Sequence, residues 1–161
     1  MLKFIGEPSK HVDLDQLRSK MLFLGLTDAQ LQAVSGIAQL RSFRRGEVIQ
    51  RRGALDDALY VIEQGSVELR VTTPQGERTV AVFERGSYVD EGFAGDFFGE
   101  FSLVDLEPWP ASVCARERTV VLEFKRDDLY EVFSRDVDLQ IGMILNIARG
   151  LSRRLRLRNR S

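Results

Sequence analysis

The chain is short of the residues from which many active sites are made. It has one cysteine, one histidine and one tryptophan among 161 residues. The lone Cys114 excludes an intrachain disulfide and fits a reducing compartment. The lone His11 lies ahead of every strand-like segment. That removes metalloenzymes needing several imidazoles beside a carboxylate, and it removes a Ser-His or Cys-His couple. The Asp56–Asp57 and Asp127–Asp128 pairs read as solvated turn and helix-start residues, so no catalytic residues and no metal ligands are expected. No apolar run approaches the ~20 residues of a membrane-spanning helix. The start "MLKFIGEPSK" lacks the apolar centre of a signal peptide, so the expected location is the cytoplasm. A net charge of -1 gives no general attraction to nucleic acid. The sharpest absence is local. From Gly86 to Ala115 there is neither Lys nor Arg, whereas Asp90, Glu91, Asp96, Glu100, Asp105 and Glu107 all fall there.

What is present is a globular composition, 43% hydrophobic and 29% charged. The N-terminal part carries helical spacing at Val12, Leu14 and Leu17. Thr27 is a candidate N-cap before Leu31, Val34 and Ile37. The period then changes. "LRSFRRGEVIQ", "ALYVIEQGSVELRVTT", "RTVAVF", "ASVCA" and "TVVLEF" are short, β-branched and punctuated by Gly46, Gly65 and Pro74–Gly76. Seven or eight short strands without intervening helices predict a mainly β fold with flanking helices. Its expected form is an antiparallel β jelly-roll barrel with N-terminal helices and a long C-terminal helix. The expected organisation is an N-terminal helical extension over 1–21, the jelly-roll domain over 22–136 and a coiled-coil-like helix over 137–161.

In that last helix Val137, Ile141, Ile144, Ala148, Leu151 and Leu155 are spaced four, three, four, three and four. This is the 3.5-residue repeat of a coiled-coil seam. A homodimer seam is favoured over packing on the chain's own barrel, and Gly150 weakens the helix locally. Arg149, Arg153, Arg154, Arg156, Arg158 and Arg160 crowd its end. They read as a solvated helix end that complements the dipole rather than as a nucleic-acid or membrane contact. No specific nucleic-acid binding is expected.

Three segments taken in order carry a family resemblance. They are "LFLGLTDAQLQAV", "GEVIQRRGALDDALYVIEQGSVEL" and "GDFFGEFSL". From Leu22 to Arg158 the chain resembles the cyclic nucleotide-binding domain of catabolite activator proteins and protein kinase A regulatory subunits. The resemblance implies a regulatory role. It also implies a phosphate cassette in which a Gly-Glu pair opens a short helix, the Glu takes the ribose 2′-OH, and an Arg about nine residues on takes the phosphate. Gly99 and Glu100 match the pair, and Phe101, Ser102 and Leu103 match the helix's first turn. Ala111, Ser112 and Val113 match the small residues that follow. The arginine position falls on Trp109 and the next backbone donor on Pro110, which has no N–H. The candidate ligand-binding set is therefore Phe98, Gly99, Glu100, Phe101, Ser102, Trp109, Ala111 and Ser112.

Three readings of that cassette stay open. It is plugged by Phe93, Phe97, Phe98, Phe101 and Trp109; or it takes a different, uncharged ligand; or it takes a nucleotide with Arg85, Arg116 or Arg118 as substitute cation. No cofactor is expected, and a cyclic nucleotide enters only through the resemblance. Exchanging Trp109→Arg and Pro110→Ala together recovers binding only if the cavity is open. The Gly86–Ala94 stretch reads as a surface loop. The chain is also compatible with the effector part of a transcription regulator lacking its DNA-binding domain, because it stops after the long helix.

Overall fold

Thr27 begins the second helix by a reciprocal cap. Its hydroxyl accepts from the Gln30 N–H at 3.2 Å, and the Gln30 side chain accepts from the Thr27 N–H at 2.9 Å. The computed structural model describes residues 12–55, 57–84, 95–100, 103 and 108–159, with side chains as far as 156. The described elements run α1 (Leu14–Arg18), a 3-10 turn (Met21–Phe23) and α2 (Asp28–Ser35). Eight strands follow: β1 (Gln39–Phe43), β2 (Val48–Gln50), β3 (Ala58–Gln64), β4 (Ser66–Thr73), β5 (Gly76–Glu84), β6 (Phe97–Phe98), β7 (Ser112–Ala115) and β8 (Thr119–Lys125). Helices α3 (Arg126–Arg135) and α4 (Val137–Asn159) close the chain.

The strands form two antiparallel sheets, ordered β1-β8-β3-β6 and β2-β7-β4-β5. Alternation along β3 explains how they stack. Ala58, Tyr60 and Ile62 face a core shared with Val67, Phe83 and Val113 of the second sheet. Leu59 and Val61 face the other way, into a core shared with the helices. Side chains two apart share a face of a strand, so a strand buried on both faces reads as one continuous apolar run, as "ALYVI" does. The first sheet is thus the middle layer, with the second sheet on one side and helices on the other.

Helix α4 packs onto this helical core through Leu139, Met143 and Ile147. Buried Asn146 pins it: its amide donates to the carbonyls of Leu22 at 2.9 Å and Leu24 at 3.0 Å. The predicted seam lies on the opposite side. Val137, Ile141, Ala148, Leu151 and Leu155 are exposed, whereas Ile144 is partly buried against the core. Among the described residues no helix is long and apolar enough to cross a membrane.

Candidate functional site

Strand β6 is two residues long, and it sends its two rings to opposite cores. Phe98 enters the core between the sheets and stacks on Tyr60, with ring centroids 5.0 Å apart and planes at 11°. Trp109 meets both edge-on, at 6.0 Å from Tyr60 and 6.2 Å from Phe98. Only 2% of Trp109 is exposed. Its main chain is fastened as well: the N–H donates to the Ala54 carbonyl at 3.0 Å, and its carbonyl accepts from the Gly53 N–H at 2.8 Å. Gly99 passes this indole in a left-handed conformation, φ 87°. A Cβ there would lie 2.7 Å from the Ala58 carbonyl oxygen and 3.1 Å from Trp109 Cη2, so both the conformation and the space call for glycine.

Glu100 follows, and a guanidinium meets it. Arg154 of α4 donates from Nη1 to Glu100 Oε1 at 2.9 Å and from Nη2 to the Phe97 carbonyl at 2.6 Å. The same guanidinium lies over the rings of Phe97, at 4.4 Å, and Phe83, at 4.8 Å. The paired side chains are 15% and 13% exposed. Burial pulls the Arg154 pKa down, while Glu100 and Asp96 hold it up. The contact is a desolvated ion pair: both charges pay to leave water, and removing either partner strands the other, which costs more than breaking a surface pair.

Asp96 lies next to this contact, 2% exposed. Burial pushes its carboxyl up to about 6, against the pull of Lys20, its own backbone N–H, Arg154 and the Met21 N–H. Lys20 is buried too, donating to the Ile62 carbonyl at 3.1 Å and pairing with Glu63 at 3.3 Å.

The structure gathers Phe98, Gly99 and Trp109 around one indole, with Ala111 buried nearby in sequence, and it joins Glu100 to α4. The Ser112 hydroxyl instead accepts from the Arg52 N–H at 3.2 Å. Phe101 and Ser102 lie outside the described residues, as do Arg85, Phe93, Asp105, Glu107 and the Gly86–Ala94 stretch. Leu103 is buried, and its carbonyl accepts from the Tyr130 hydroxyl at 2.7 Å.

Two expectations need correction. Phe97 does not share the filled core with Phe98 and Trp109, because neighbouring residues of a strand face opposite ways; it packs under α4. Arg154 is not part of a solvated helix end. Arg116 and Arg118 are exposed in the β7–β8 turn, and among the described residues the guanidinium that reaches Glu100 comes from α4. Its signal was in the sequence. Leu139, Met143, Ile147, Gly150 and Arg154 continue one helical face by steps of four, four, three and four.

A family model for the cyclic nucleotide-binding domain matches residues 40–136. The cyclic AMP receptor protein of Thermus thermophilus is 33% identical over 141 residues, covering 87% of this chain and 59% of that protein. The cGMP-dependent protein kinase of Eimeria tenella is 31% identical over 131 residues, covering 81% of this chain but 12% of the kinase. Among solved structures, Thermus thermophilus catabolite activator protein superposes with a TM-score of 0.69 at 33% identity, covering 87% of this chain and 60% of that one. The N-terminal domain of a transcriptional regulator from Streptomyces coelicolor superposes with a TM-score of 0.69 at 28% identity, covering 90% and 93%. The chain belongs to the cyclic nucleotide-binding domain family.

Proposed function

We propose that the chain is a non-enzymatic regulatory module whose cassette has exchanged anion chemistry for a contact with its own C-terminal helix. The reading takes the two sheets as halves of a jelly roll over 22–136, preceded by a helical extension over 1–21. Helix α4 is the output element, and a second copy of the chain docks on its exposed stripe.

One observation carries this reading: Trp109 fills the core at the position where the family resemblance calls for the phosphate arginine. The next residue, Pro110, has no N–H to offer. A charge-assisted bond contributes about 1.5–3 kcal/mol, and each decade of affinity corresponds to about 1.4 kcal/mol. Losing a guanidinium fork and a backbone donor together therefore removes about three decades or more from a micromolar site. The segment brings carboxylates, Asp96 and Glu100 among them, and no Lys or Arg of its own between Gly86 and Ala115.

Calorimetry of the unmodified chain with cyclic AMP and cyclic GMP tests the proposal. The expected dissociation constants are on the order of millimolar or weaker. A micromolar constant for either nucleotide overturns it. Glu100 would then serve the ribose, and Arg154 would have to leave it.

A further inference from the structure

The cassette side of the Arg154 contact is built as a receptor for a planar cation. It offers the Glu100 carboxylate and the Phe97 carbonyl as acceptors, at 2.9 Å and 2.6 Å from two different guanidinium nitrogens. It offers two ring faces, Phe97 and Phe83, at 4.4 Å and 4.8 Å from the guanidinium carbon. Asp96 is buried nearby, its carboxylate oxygen Oδ1 accepting no hydrogen bond among the described residues and its charge felt by Arg154. The segment itself contributes no cation between Gly86 and Ala115. Two acceptors that take different nitrogens, with two π faces against the guanidinium carbon, suit a delocalised guanidinium better than a compact ammonium. They repel a phosphate.

We infer that this cassette is a guanidinium-binding site, closed in cis by Arg154, and that the ligand able to open it is a guanidinium-bearing molecule. The inference rests on the reading that the cassette no longer serves a phosphate. It adds a polarity, a ligand class and a consequence. Arg154 is one residue before Leu155, which lies on the exposed apolar stripe of α4. A guanidinium that takes Glu100 and the Phe97 carbonyl releases that last stretch of helix from the body of the protein. The site and the stripe are thereby coupled through one side chain.

Chemical rescue tests this without any nucleotide, so its failure leaves the phosphate reading standing. The Arg154→Ala chain is titrated with ethylguanidinium at millimolar concentrations, with ethylammonium as the matched-salt control, and Tm is followed. Arg154→Ala is expected to melt lower by on the order of 5 °C. Ethylguanidinium is expected to restore a saturable part of that loss, with ethylammonium restoring none. Adding Glu100→Gln to Arg154→Ala is expected to abolish the rescue. If Arg154→Ala does not fold, Arg154→Met keeps the aliphatic stem over the rings and takes its place. A blocked Gly-Arg-Gly tripeptide forms the last arm. Tighter rescue by the tripeptide than by ethylguanidinium assigns the site to an arginine side chain of a polypeptide, and weaker or equal rescue assigns it to a small free guanidinium. No saturable rise in Tm, an equal rise with ethylammonium, or a rise that survives Glu100→Gln overturns the inference.

Discussion

The ring of Phe97 lies against the bare α-carbon of Gly150. A Cβ placed on Gly150 would sit 2.7 Å from Phe97 Cζ and 2.9 Å from Cε1. Phe97 is fully buried, so its ring has nowhere to swing. One turn further on, Arg154 lies over the same ring at 4.4 Å. Glycine in mid-helix is thus the condition for α4 to come close enough for Arg154 to reach Glu100.

Gly150→Ala sets two effects against each other. The exchange gains about 1 kcal/mol of helix propensity. Forcing a methyl into a filled contact costs about 1–3 kcal/mol. The overlap is expected to win narrowly, lowering Tm by about 2–4 °C and loosening the C-terminal half of α4. Thermal melts and amide hydrogen exchange along α4 read both effects. A higher Tm with unchanged protection would show that propensity dominates and that the close contact is unimportant.

Trp109 holds the inter-sheet core as its largest side chain near the cassette. Trp109→Ala is expected to cost about 3–5 kcal/mol by urea denaturation, the range for deleting a buried aromatic. Trp109→Arg would put an unpaired charge against Tyr60 and Phe98, so it should destabilise at least as much. The pair Trp109→Arg with Pro110→Ala is expected not to bind cyclic AMP. A folded double variant with micromolar affinity would mean that the cavity is open and that the indole merely lies in it.

The order of helices, a strand-dense middle and closing helices is legible in the sequence, because period carries that information. The cap at Thr27 and the heptad stripe of α4 are legible as patterns of spacing, whereas the burial of "ALYVI" on both faces is seen only in the folded chain. The site was legible only along the chain. Glu100, Gly99 and Trp109 lie close in sequence, and their residue types gave them away. Arg154 is 54 positions from Glu100, and no local pattern joins the two. Gly150 appeared as a weak point in a helix because a clash with Phe97 cannot be seen without knowing which helix covers which strand. The placing of Phe97 is hidden for a related reason: "FF" looks like one aromatic block until a strand sends its two rings apart.

Asp96 gives the stability of the fold a pH dependence with a definite sign. Its folded pKa is raised to about 6 from an ordinary 3.8, so between these values the folded state holds the proton more tightly. Stability from this group is present at the acid end and is lost as pH rises through about 6. At neutral pH the buried carboxylate opposes folding by on the order of 3 kcal/mol. Asp96→Asn is therefore expected to raise Tm at pH 7.5 and to leave it little changed near pH 4. Melting curves from pH 4 to 8 decide it. A variant less stable than the parent at pH 7.5 would show that the attraction of Lys20 and Arg154 outweighs desolvation.

The outer face of α4 leaves Val137, Ile141, Leu145, Leu151 and Leu155 exposed by 61%, 52%, 48%, 39% and 61%. Exposed apolar side chains repeated along one 23-residue helix are the kind of surface that marks an interaction site. A second copy of the same helix would bury it at coiled-coil spacing. The unmodified chain is expected to scatter light as a dimer at tens of micromolar. Ile141→Asp and Leu155→Asp change exposed positions only, so each should produce a folded monomer. Ile144→Asp is a poorer probe, because Ile144 also packs on the chain's own core. Circular dichroism alongside light scattering separates loss of assembly from loss of fold. A monomeric parent at high micromolar concentration, or dimers that persist with Asp at both 141 and 155, would remove the stripe as the interface.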